Sequence, residues 1–512
     1  MVAVLLLFLA VALLSRYAER RIQEAIASQN GAVSSIAVNV IRRSIVAKDL
    51  RWRSDPDTTR KSRYSVNATR IDVTGIQLYE LIAHKRVVVQ EILLDSGKLY
   101  VDQSVPATKQ NQDSAASRQM SFLAKRISWS SILIQVHADS LIRFSGLFNG
   151  SITDLKYGSD SSRSVGPTIQ TIDAEIKKIS ISRQEGMYGA TISKMHMNTK
   201  DSSLVIDSLL VIPNFDKFDF AHHLGTQTAR VNLFIPRMEI EGIRYDKVVD
   251  SVFEAAVFRI KSFDLNSFKD KRIPFLRKNA RPLPMEVFLK LPYHVMIDTV
   301  LVMDSHVVVE EIPVNGTESG TVTFDHIQAT LIGLNNRIVK GDTSVSVLKA
   351  SGLIMGSGKI DATFTLPQDG SPNYRAFGSI SDMPFSDLNP MLFPMTQIRI
   401  ESGHLNKLFF DFTYTDFRST GNLNIDYRDL QLTSVSKNGK SSNDLKSLFI
   451  NVFVKSNRNR SSPAMLGNGE IDIECDRKKL IFNVWLKSIL DGLKSAMLRT
   501  GKSKDSATPR KR

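Results

Sequence analysis

From residue 31 to about residue 480 the apolar side chains recur at every second position, and that period decides what the chain can fold into. Ser34–Val40 places Ile36, Val38 and Val40 on one parity. Val66–Val73, Arg86–Leu94, Val231–Ile243, Ile327–Ile332, Ile398–Thr415 and Thr420–Leu432 alternate in the same way. Successive strand side chains point to opposite faces, so the pattern describes strands with one apolar and one polar face. Val, Ile, Phe and Thr fill these segments, and Gly, Asn, Asp and Ser separate them. Helical period is scarce in the interval, with Lys217–Leu224 and Met285–Leu291 as the short candidates. A mainly β protein is the expectation.

One element recurs. Leu93–Asp102 reads LLDSGKLYVD, Val300–Glu310 reads VLVMDSHVVVE, and Ile398–Leu408 reads IRIESGHLNKL, with a weaker relative in Ile134–Ser145. Each is an apolar alternation, an acidic residue with Ser, then a second alternation. Asp and Ser favour turns and bulges through bonds to nearby backbone. The repeat therefore reads as a structural joint, strand to turn or bulge to strand, and not as a chemical site.

The ends differ from the middle. Val2–Leu14 is uninterrupted apolar sequence, with Leu5, Leu6, Leu7, Phe8 and Leu9 at its centre. At 1.5 Å per residue it spans about 20 Å of helix against a hydrocarbon core of about 30 Å. Its length suits a signal-peptide core, but Arg16, Arg20 and Arg21 follow it and no basic residue precedes it. An uncleaved membrane anchor is expected, with a cleaved signal as the alternative. Ser15–Asn30 continues it as an amphipathic helix with Gly31 as its stop. At the other end Trp485, Ile489, Leu493 and Met497 form a helical stripe, with Leu486 and Leu490 beside it. The segments Gln103–Gln119, Gly158–Gly166 and Lys437–Asn443 read as loops. Arg272–Pro292 holds four of the seventeen prolines and reads as a boundary between two β segments.

No constellation for chemistry emerges. The lone Cys475 excludes an internal disulfide and cysteine zinc sites. GLIMGSGK at Gly352–Lys359 has the wrong glycine spacing for a phosphate loop and Ile360 where Ser or Thr belongs. His222-His223 lacks partners at ligand spacing and reads as a surface or helix-end pair. Glu310 and Glu311 would point to opposite faces of a strand. No catalytic, metal-binding or cofactor residue is expected, and the protein is read as non-enzymatic. The net charge of +15 invites nucleic acid or anionic membrane as partner. Aromatic residues such as those of LFFDFTY at Leu408–Tyr414 lie within the apolar alternation, so nucleic acid is not expected.

In the anchor with ERRIQEAIASQNG, in Val33–Trp52, in Ala68–Val101, and in Ser379–Asp416 followed by STGNLNIDYRDLQL, the chain resembles the AsmA-like family of diderm bacteria. The resemblance implies an inner-membrane anchor with the β body in the periplasm, a role in envelope biogenesis, and phospholipid as partner, with other envelope proteins possible. It brings no catalytic residues. With it, the expected fold is an elongated, strongly curved, antiparallel-rich sheet, a groove or partly closed sandwich, with an N-terminal membrane helix and a C-terminal amphipathic helix. The expected division is anchor and helix over 1–30, β segments over 31–271 and 293–480, a proline-rich connection over 272–292, a helix over 481–498 and a basic tail over 499–512. Two functions follow: lipid binding or transfer along an apolar groove, or a membrane-tethered scaffold with a closed core. For the groove, the inward set is Ile398, Ile400, Leu405, Leu408, Phe410 and Phe412.

Overall fold

The computed structural model describes every residue except 1, 55–62, 103–120, 139–141, 158–167, 184–185, 277–278, 338–343, 369–370, 372, 435–464 and 500–512. The three expected loops, the basic tail beyond residue 499 and the centre of the weaker repeat lie outside the described residues. Strand outweighs helix, 62% to 18%, in a mixed, mostly antiparallel sheet, as the alternation requires. The chain divides into two compact units, Met1–Val211 and Ile212–Arg512.

The first unit opens with helix α1 (Val2–Ser28), followed by β1 (Gly31–Ala32), β2 (Ser35–Asn39), β3 (Ser44–Arg53) and β4 (Arg63–Thr74). Helix α2 (Leu78–His84) precedes β5 (Val87–Asp102), β6 (Phe122–Ala138), β7 (Ile142–Tyr157), β8 (Thr171–Arg183) and β9 (Tyr188–Asn198). Strand β10 (Ser203–Pro213) runs two residues past the division. Neighbours from β2 to β9 pair antiparallel, except that β5 and β6 are parallel. Parallel neighbours need a crossover connection, which accounts for the long polar segment after β5. Helix α1 packs on β1 and β2, where Glu19 accepts the Val38 N–H at 2.9 Å.

The second unit contains α3 (Asp219–Leu224), β11 (Arg230–Glu241), β12 (Val252–Ile260), β13 (Asp264–Asp270) and α4 (Pro284–Leu289). An antiparallel run follows: β14 (His294–Ile312), β15 (Gly320–Asn335), β16 (Val345–Ile354), β17 (Gly358–Pro367) and β18 (Tyr374–Pro384). Helix α5 (Asn389–Thr396), β19 (Ile398–Tyr414), β20 (Arg418–Ser434), β21 (Met465–Glu474) and α6 (Ile481–Arg499) complete it. Both short helices read from the sequence are present, as α3 and α4. GLIMGSGK is the β16–β17 hairpin, with Met355 and Gly356 at positive φ.

The proline-rich segment 272–292 lies inside this unit, while the division falls at residue 211. Strands β12 and β13 both pair parallel with β14. The prolines thus mark a crossover between parallel strands, with Pro284 opening α4 at a position where its missing N–H costs nothing.

The recurring acidic-Ser element is also resolved. It joins no two strands; it lies within one. Ser96 inside β5 has φ +57°, Asp304 inside β14 has φ +42°, and Gly403 beside Glu401-Ser402 in β19 has φ +131°. At each the apolar alternation slips by one residue and continues on the same face: Ile92 and Leu94 give way to Leu99 and Val101. Asp49, Ser131, Lys178 and Ser208 do the same for neighbouring strands of the first unit, and Asp382 and Asp429 for the second. An extra residue in the left-handed region is the geometry of a bulge. In β14 it carries a second duty. Ser305, 1% exposed, accepts the Phe263 N–H at 3.0 Å and donates to the Met303 carbonyl at 3.2 Å, closing the break between β12 and β13.

Candidate functional site

Because the slips are in phase, the first unit carries one continuous apolar face. Register places Ile45, Val73, Ile92, Ile127, Ile152 and Ile172 in a row across β3–β8. Beyond the slips, Trp52, Val66, Leu99 and Ile134 form another row, continued by Ile179 and Ile192 on β8 and β9. Nearly all of these side chains are only half-buried, and the helices of the unit pack against β1, β2 and β5 alone to any extent. From Ile92 to Val101 the face runs about 30 Å, and from β3 to β8 about 24 Å. The product, about 700 Å², exceeds the few hundred Å² usual for an apolar patch on a soluble monomer. The opposite face is charged, with Arg70–Asp72 at 2.8 Å and Lys177–Glu175 at 2.7 Å.

The six residues read as a groove lining are brought onto one face of β19, as the alternation implied. There they are packed: Ile398 and Phe412 are 1% exposed and Phe410 6%. All six belong to one core with Leu423, Ile425 and Ile471 of β20 and β21 and with Ile481, Val484 and Ala496 of α6. The helix presents Ile481, Val484, Ser488, Gly492 and Ala496 to the sheet, a different face from the stripe read in the sequence. Trp485, Ile489 and Leu493 flank it, and Leu486 is 48% exposed. Small residues let the backbones meet. A Cβ on Gly469 would stand 1.9 Å from the Gly492 carbonyl oxygen, and the Ser419 and Ser488 hydroxyls bond at 2.7 Å beneath. Spacing of Ser488, Gly492 and Ala496 at i, i+4 and i+8 is the signal that could have shown this.

The expected anchor is the N-terminal half of α1, and the side chains of Leu5, Leu6, Leu7, Phe8 and Leu9 lie outside those described. Among the described residues no helix is long and apolar enough to cross a membrane. Arg16, Glu19, Arg20 and Arg21 interrupt α1 after its apolar half.

Of the titratable groups singled out in the sequence, His223, Glu310 and Glu311 have structural partners. His222 and His223 end α3, with the His223 ring stacked on Phe215 at 4.1 Å. Glu310 takes Lys217 at 2.7 Å, while Glu311 pairs with Lys271. Asp270, 1% exposed, is clasped by Arg272, which holds its carboxyl below the usual range against the opposing effect of burial. Burial pushes the Cys475 thiol up, away from thiolate reactivity. No group of three or more His, Cys, Asp or Glu suited to a metal occurs among the described residues. No protein-family model matches the chain. A search of curated proteins found no match.

Proposed function

We propose that this is a membrane-tethered protein that holds phospholipid acyl chains along the apolar face of its first unit. The observation that carries the reading is the half-exposed apolar face across β3–β9, without a charged side chain in its rows. Such a face offers burial without a polar site. About ten methylenes per acyl chain, at about 0.8 kcal/mol each, contribute about 8 kcal/mol, the standard free energy of a micromolar complex. The apolar half of α1 would hold the chain at the bilayer surface, with the basic surplus favouring anionic headgroups. The resemblance to the AsmA-like family agrees with this reading and extends it to the periplasmic side of a bacterial inner membrane, in envelope biogenesis. In this reading the sheet of the first unit is a curved groove, and lipid contacts Leu99 and Ile134 in place of the six β19 residues.

A second reading is a tethered scaffold for envelope assembly, and the core sealed beneath α6 favours it for the second unit. Lipid content separates the two. Full-length protein is purified and its bound lipid quantified by mass spectrometry, alongside Leu99→Glu/Ile134→Glu. The groove reading expects phospholipid on the wild type, its loss in the variant, and thermal transitions that stay cooperative. Absence of lipid from the wild type, or equal loading of the variant, defeats it in favour of the scaffold.

A further inference from the structure

The second unit has another surface that the lipid reading does not use. On the face of β14–β20 opposite the sealed core lies a trough of ≈ 940 Å³, near the upper end for small-molecule sites, about 1,000 Å³. Its chemistry differs from the apolar face of the first unit. Phe377 on β18 and Phe409 on β19 occupy diagonal positions, since Phe377 faces Asp411 and Ser379 faces Phe409. They remain 36% and 47% exposed. Arg375 and Lys407 stand over the rings at 4.9 and 4.4 Å.

Around the rings five polar side chains are unengaged. Gln328, Lys349, Asp361, Asn422 and Asn424 line the trough, and their side chains have no hydrogen-bond or ion-pair partner among the described residues. Elsewhere on this face ion pairs form, as in Arg418–Asp472 at 2.6 Å and Lys359–Asp382 at 3.1 Å. Within the trough Lys349 offsets Asp361, and Arg375 neutralises Asp411 through bonds of 2.8 and 2.6 Å, which leaves Lys407 over Phe409 as the one unbalanced charge among the described residues.

A lining of low net charge with amides and exposed rings suits an uncharged, hydroxyl-rich ligand with flat C–H faces. Each amide offers both donors and an acceptor to a hydroxyl pair, and the phenyl faces supply contact without competing hydrogen bonds. A phosphate-bearing chain would find only one unbalanced cation here, Lys407, and no cluster of them. From Gln328 on β15 to Asn424 on β20 the trough crosses about 24 Å, a length for an oligomer. We propose that this trough is a binding site for a neutral oligosaccharide, separate from the lipid face.

Titration calorimetry of the full-length protein with cellohexaose, maltohexaose and chitohexaose tests it. Saturable binding of at least one is expected. Phe377→Ser/Phe409→Ser should weaken it at least tenfold, and Asn422→Ala/Asn424→Ala, which spares the rings and guards against a folding defect, likewise. The melting transition of the second unit should stay in place for the asparagine variant, and lipid content should be unchanged in both. No saturable binding of any of the three sugars at millimolar concentration overturns the proposal. So does wild-type affinity in the asparagine variant.

Discussion

Replacing Gly469 by Ala adds one methyl group where the structure has no room for it. The new Cβ would sit 1.9 Å from the Gly492 carbonyl oxygen and 2.8 Å from the Ala496 nitrogen, both backbone atoms of α6. Ordinary contact begins near 3.4 Å, so the helix must retreat by about 1.5 Å. At that separation the 2.7 Å bond between Ser419 and Ser488 is broken. Ser488 keeps its bond to the Val484 carbonyl at 2.8 Å, but Ser419, 0% exposed, loses this partner. Overpacking typically costs about 1–3 kcal/mol and an abandoned buried hydroxyl about 1–3 kcal/mol. Partial relaxation brings the sum to about 3 kcal/mol. For a unit of this size that lowers the midpoint by about 6–12 °C. Trp485 lies on α6, and the other two tryptophans, Trp52 and Trp129, belong to the first unit. In a Trp52→Phe/Trp129→Phe background, Trp485 fluorescence therefore follows this unit alone through urea and thermal unfolding. Gly467→Ala is the internal control, because its Cβ meets only the Ala496 side chain and carbonyl, at 3.2 and 3.3 Å, and the Ile425 side chain. It should cost less than about 1 kcal/mol. Equal midpoints for the two variants would refute the claim that backbone contact between α6 and β21 seals the core.

Three further outcomes are expected. Ser305→Ala strips the Phe263 N–H of its acceptor and should cost about 1–3 kcal/mol, whereas Ser96→Gly relieves a left-handed residue and should stabilise by up to about 1 kcal/mol; paired urea titrations with opposite shifts check this. Asp270→Asn should cost about 1–2 kcal/mol at pH 7, discounted from a fully buried pair because Arg272 is 41% exposed. The folded carboxyl lies below its unfolded value of about 3.9, so its stabilisation is present above that pH and lost as pH falls through the folded value; the variant's acid-unfolding profile should be flatter below pH 4. Burial first, then Lys269 and Lys479, push Lys271 down to about 8 even though it pairs with Glu311. The unfolded chain, with its lysine near about 10.4, then binds more protons in between, so stability should climb from pH 8 to about pH 10. Lys271→Met should remove that climb, and a wild-type midpoint flat over this range would contradict it.

The strands were legible because their apolar residues repeat with the pleat. Even the face shared by Ile398, Ile400, Leu405, Leu408, Phe410 and Phe412 could be read across its break at Gly403. What covers that face could not be read, since alternation is identical beneath lipid, water or a helix. Ser488, Gly492 and Ala496 point to a close helix–sheet approach only once β21 is known to bring Gly469 opposite. The proline cluster misled for a related reason. A crossover between parallel strands and a boundary between units both demand an extended, turn-rich connection, and only the pairing of β13 with β14 separates them. The acidic-Ser repeat announced a joint, but whether the chain turns back or shifts by one residue depends on the neighbouring strands, which shift with it.

That shared shift has a consequence for how the chain tolerates change in length. Ser96 faces Thr69 on β4, Thr69 faces Asp49 on β3, and Ser131 lies beside Ser96 on β6. Together they act like a dislocation line in a crystal, crossing the strands and keeping the lattice on either side in phase. Deleting Ser96 alone would turn Gly97, Leu99 and Val101 to the charged side while their neighbours stayed in place, for a period of two allows no smaller error. A matched deletion along the line would restore phase. Losses of single residues here should therefore be rescued by losses at the facing positions of the adjacent strands, and by none elsewhere in the unit.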